Sequence, residues 1–97
     1  MIKVLIEDNK IDVKGHANYD ELGKDIVCAS VSTLVISTIN NIIDVDKESI
    51  LYEEKENEIK IEIKNNNEIV KKLINNMVLM LEDLEKDYPK NIKILRR

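Results

Sequence analysis

Residues 25–43 read DIVCASVSTLVISTINNII, and the fold turns on whether this stretch is strand or helix. Its wealth of Ile, Val and Thr favours strand by propensity alone. Period argues the other way, because Ser30, Thr33, Ser37, Asn40 and Asp44 recur at spacings of three and four, the mark of a polar stripe along a helix. Length agrees, since about nineteen residues is far beyond an ordinary strand. Ser30, Ser32, Thr33, Ser37, Thr38, Asn40 and Asn41 interrupt the apolar residues too often for an ordinary membrane span, so a buried helix of a soluble protein is expected.

Working outward, the amino-terminal side alternates. Ile2, Val4 and Ile6 share one face, Glu7 to Lys10 form a polar turn, and Ile11 and Val13 resume the alternation, which predicts a hairpin. On the other side Ile59, Ile61 and Ile63 alternate with Lys60, Glu62 and Lys64. They pair with Ile50 to Glu54 across a turn at Lys55 to Glu58. Val70, Leu73, Ile74, Met77, Leu81 and Leu84 then repeat at helical spacing behind Asn67, a good N-cap, and Pro89 stops the run. The spacing assigns both Met77 and Met80 to the core. Ile92 and Ile94 close the chain as a last short strand. The order is ββαββαβ: a pseudo-repeat of a ββα unit, giving an α+β domain over residues 1–97 with a mostly antiparallel sheet packed with two helices.

Composition bounds the function. Of 97 residues, 43% are apolar, and three Tyr with no Phe or Trp leave Ile, Leu and Val to fill the core. Charged residues make up 35% of the chain, interleaved to a net charge of -4, which argues against direct nucleic-acid binding through phosphate neutralisation. Lys93, Arg96 and Arg97 read as a solvated basic tail. One cysteine cannot form an internal disulfide, and MIKVLIEDNK carries acids where a secretion signal needs an apolar core, so a cytoplasmic protein without membrane attachment is expected. A single His and a single Cys do not make a metal site, and no glycine-rich phosphate loop is present. No cofactor is implied.

The chemistry concentrates between the first hairpin and the first helix. Residues 15–23 read GHANYDELG, a loop with glycines at both ends, comprising Gly15, His16, Ala17, Asn18, Tyr19, Asp20, Glu21, Leu22 and Gly23. Ala17 to Leu22 is the candidate lid. Cys28 is expected within the first turn or so of the helix that follows, where unsatisfied N–H groups and the helix dipole favour a thiolate. His16, brought back by the loop, would take the thiol proton and return it to a leaving amine. Asp25, Cys28 and Ser32 fall at i, i+3 and i+7 on one helix face. Asp25 is placed to orient the imidazole and Ser32 to donate a hydrogen bond, with backbone N–H groups near Cys28 as an oxyanion hole. Each residue also has a plainer reading: a lone Cys packs as a small hydrophobe, a loop His is solvated, and Asp25 caps the helix. Taken alone, these residues leave a protease, a non-catalytic binding module and a redox-sensing thiol all open.

GHANYDELGKDIVCASVSTLV resembles the signature of the ribosomal-processing cysteine proteases, the Prp family: GHA, a short spacer, G-x-D-x-V-C-A and then a serine. Gly15, His16, Ala17, Gly23, Asp25, Val27, Cys28, Ala29 and Ser32 match it, while Asn18 and Ser30 stand where many relatives have smaller residues. The resemblance implies a Cys28–His16 dyad with Asp25 and Ser32 in support. It implies a substrate as well, the N-terminal extension of large-subunit ribosomal protein twenty-seven, cut after an aromatic pair. It further implies a homodimer with a mobile loop between the His and the Cys.

Overall fold

The computed structural model describes residues 1–15, 22–65 and 67–97, the side chains of residues 22–25 excepted. Seven elements follow in order: β1 (Ile2–Ile6), β2 (Lys10–Lys14), α1 (Leu22–Asp46), β3 (Ile50–Lys55), β4 (Glu58–Ile63), α2 (Glu68–Asp87) and β5 (Ile92–Arg96). The expected ββαββαβ order and both hairpins are present. The strands form one sheet in the order β3-β4-β2-β1-β5. Three of its pairings are antiparallel, and β5 runs parallel to β1. The central pairing joins the two ββα units, with Ile11 opposite Ile61 and Val13 opposite Ile59.

Alternation decides what each face does. Ile2, Val4, Ile11, Val13, Ile61 and Ile92 are buried on the face that carries the helices. The residues between them on β2 and β4 turn Lys10, Asp12, Lys14, Glu58, Lys60 and Glu62 to the open face, the half-wet arrangement usual for an antiparallel sheet. Val27, Val31, Val35, Ile39 and Ile42 form the core row of α1, and Val70, Ile74, Met77 and Leu81 that of α2. Each such side chain contributes about 1.5–3 kcal/mol by leaving water.

The helices hold four corrections. First, α1 begins at Leu22, so Leu22 and Gly23 are helical rather than part of the loop; glycine costs about 1 kcal/mol in a helix, which a long packed helix absorbs. Second, α1 is buried along one side only, with Ile26, Ile36 and Val45 exposed. Its stretch Ile26–Asp46, in which eighteen residues reach a mean hydropathy of 1.8, is long and apolar enough by composition to cross a membrane; the small hydroxyl side chains do not lower hydropathy as a count of polar residues suggests. Third, Met77 is fully buried but Met80 is 48% exposed, because three residues rotate the helix through 300° and carry Met80 off the core row. Fourth, the basic end is not a tail: Arg96 lies in β5 and reaches Glu82 of α2 at 2.9 Å.

The capping residues behave as their types require. The Asn67 side chain accepts from the N–H groups of Ile69 at 2.9 Å and Val70 at 3.2 Å and donates to Asp46 at 3.2 Å, tying the start of α2 to the end of α1. Tyr88 caps the other end just before Pro89, its N–H donating to the Leu84 carbonyl at 2.9 Å.

Candidate active site

A groove of about 210 Å³ opens between α1 and the ends of the strands. One wall is the α1 stripe of Cys28, Ser32 and Ile36, spaced by four residues and so stacked along the helix. Ile2, Val13 and Ile59 form an apolar floor, and Glu54, Asn57 and Gly15 close the other side. Cys28 packs against the core while staying partly exposed, and Ser32, one turn on, is exposed. A sulfur with one side in the core and the other in a groove can meet an approaching carbonyl without being free to wander.

Gly15 ends β2 at this groove. Its φ of +86° lies in the left-handed region, and a Cβ there would sit 2.6 Å from the Met1 carbonyl oxygen, so only glycine fits. Its N–H donates to the Asn57 carbonyl at 2.8 Å, fixing the strand end against the β3–β4 turn. Asn57 is the non-glycine residue at positive φ, 69°, among the described residues. That is a conformation asparagine tolerates, and it brings the Asn57 turn into the groove.

The sequence-derived site is only partly covered. Cys28, Ser32 and Gly15 come together as described. His16, Ala17, Asn18, Tyr19, Asp20 and Glu21 lie outside the described residues. Asp25 is placed in the first turn of α1, three positions before Cys28, and its side chain is likewise outside them. One expectation changes: with α1 starting at Leu22, Cys28 is the seventh helical residue, in the second turn. The dipole acts mainly within the first turn, and only the first four N–H groups lack helical partners, so the Cys28 N–H belongs to the helix ladder rather than to an oxyanion hole. The groove's polar lining residues are Ser32, Glu54, Lys55, Asn57 and Glu58. Glu54 and Asn57 were invisible as site residues in the sequence, since only the pairing of β3 with β4 and the crossing of α1 bring them beside Cys28. Among the described residues no group of three or more His, Cys, Asp or Glu side chains could hold a metal ion.

Known proteins resemble this chain in both sequence and fold. The family described as Cysteine protease Prp matches residues 1–93. Over 83 residues the chain is 31% identical to the ribosomal processing cysteine protease Prp of Staphylococcus aureus, spanning 82% of this chain and 78% of that one. Over 93 residues it is 29% identical to the Bacillus subtilis protein of the same name, spanning 86% and 80%. The crystal structure of the essential ribosomal processing protease Prp from S. aureus in complex with a substrate peptide superposes with a TM-score of 0.91 at 25% identity, covering 100% of both chains. The structure of that protease with a covalently linked product peptide gives 0.85 at 28% identity, again over 100% of both.

Proposed function

The chain belongs to the Prp family of cysteine proteases, and from that premise we propose that Cys28 and His16 form its catalytic dyad. In this reading His16 removes the Cys28 proton and the thiolate sulfur attacks the scissile carbonyl. The tetrahedral adduct collapses as the C–N bond breaks and His16 returns the proton to the leaving amine. Water then adds to the acyl-enzyme, giving up a proton to His16, and the C–S bond breaks as His16 returns that proton to the departing sulfur, freeing the carboxylic acid product and regenerating the thiol. Asp25 orients the imidazole, and Ser32 donates to the sulfur or to the carbonyl oxygen. The substrate is the N-terminal extension of large-subunit ribosomal protein twenty-seven, cut after an aromatic pair.

The observation that carries the reading is the groove itself: Cys28 is partly exposed there beside Ser32, and Gly15, the chain neighbour of His16, lines the same cavity. The aromatic requirement fits the apolar residues Ile2, Val13 and Ile59 that line the groove.

The test is cleavage of a peptide carrying the aromatic pair, beside one with the pair replaced by two Ala, followed by mass spectrometry. The unmodified protein should cut once, after the pair, and at least tenfold faster than it cuts the Ala peptide. His16→Ala should lose at least about a hundredfold in kcat/KM, the usual worth of a general base. Equal cutting of the two peptides removes the aromatic specificity, and near-normal activity in His16→Ala removes the dyad.

A further inference from the structure

The groove is not electrically neutral along its rim. In β3 the register sets Glu54 opposite Ile59, on the helix face and against the cavity that holds Cys28, and Glu54 is exposed. Its neighbours are otherwise engaged. Lys55 and Glu58 also line the cavity, but Lys55 pairs with Glu53 at 3.0 Å, and Glu58 pairs with Lys14 at 3.8 Å and Lys60 at 3.9 Å. Among the described residues Glu54 has no ion-pair partner, so a carboxylate stands uncompensated within a cavity's width of the thiol.

The backbone beside it is also unsatisfied. β3 is an edge strand, paired with β4 alone. The Ser49 carbonyl accepts from the Lys64 N–H at 2.6 Å, and the Ile63 N–H turns away from β3 to the Asn9 carbonyl at 2.8 Å. Antiparallel alternation then directs the N–H and C=O of Tyr52 and Glu54 outward, away from the sheet. An exposed edge of this kind accepts an extended peptide as an added strand.

We propose that the peptide substrate lies along this edge of β3 and that Glu54 is a specificity residue, selecting a Lys or Arg side chain close to the bond that is cut. Glu54 and Cys28 line the same cavity, so the selected cation lies within about two residues of the scissile bond. The inference rests on the protease reading of Cys28 and adds a charge requirement that an apolar floor does not supply.

The test uses a peptide that the protein cleaves, varied one position at a time to Lys or to Glu over three residues on each side of the cut. The readout is kcat/KM with the unmodified protein, Glu54→Gln and Glu54→Lys. At one position within two residues of the cut, the unmodified protein should favour Lys over Glu by about fivefold, the scale of a partly exposed charge pair. Glu54→Gln should reduce that preference to below twofold, and Glu54→Lys should reverse it. Glu54 is exposed on an edge strand, so neither variant disturbs the core. The same Lys preference in all three proteins, with Cys28→Ala inactive, would overturn the role of Glu54 and leave the protease reading standing. No cleavage of any peptide by the unmodified protein would overturn both.

Discussion

Asp12 lies on the open face of the sheet, and its Oδ1 is buried without a hydrogen-bond partner among the described residues. Burial raises its pKa above the usual 3.8, and the hydrogen bond with Glu58 and the negative charge of Glu58 raise it further, against the opposing pull of Lys14 and Lys60. The folded state therefore holds the Asp12 proton more tightly than the unfolded chain does. The stability this supplies is full below pH 3.8 and is lost as pH rises through the folded pKa. Asp12→Asn should raise the melting temperature at pH 7, with the gain shrinking as pH falls toward 3.8; thermal unfolding across pH checks this, and a loss of stability at pH 7 would show that the ionised carboxylate is favourable where it stands. Gly15 makes the opposite case. Gly15→Ala puts a Cβ against the Met1 carbonyl at positive φ and should cost about 1–3 kcal/mol, measurable by urea unfolding.

Among the elements, the link between α1 and α2 is the most easily tested. Asn67→Ala removes the one oxygen that accepts both cap hydrogen bonds and the donor to Asp46 together, and should destabilise by about 1 kcal/mol in chemical denaturation, near the middle of the range for N-caps. This cap, both hairpins and the order of elements were legible in the sequence because each depends on neighbours within a few residues. The start of α1 was not. Gly23 looked like the end of a loop, yet the packing of Val27 and Val31 against the sheet carries the helix back past it. Displacing the start by three residues moved Cys28 out of the first turn, and the local argument for a dipole-stabilised thiolate moved with it. Met80 failed for a related reason: spacing shows that a residue is near a stripe, and only the packed partner shows how wide the stripe is. Glu54 and Asn57 were out of reach altogether, because they come to line the same cavity as Cys28 from elements distant in sequence.

For the molecule as a whole, the helix layer covers one face of the sheet and leaves β3 as an edge, and the thiol sits where that layer meets the strand ends. This division lets the core be rigid while the groove stays open. We expect the chain, of 11.2 kDa, to sediment as a homodimer of twice that mass, and a monomer across micromolar concentrations would contradict it. The central claim is that the sulfur of Cys28 does the chemistry. It is tested most directly by comparing kcat/KM for the aromatic-pair peptide between the unmodified protein and Cys28→Ala, with circular dichroism to show that both are folded. Cleavage should fall by at least about three orders of magnitude in Cys28→Ala, the loss typical when a covalent nucleophile is removed. Cleavage by a folded Cys28→Ala protein at the unmodified rate would contradict the account.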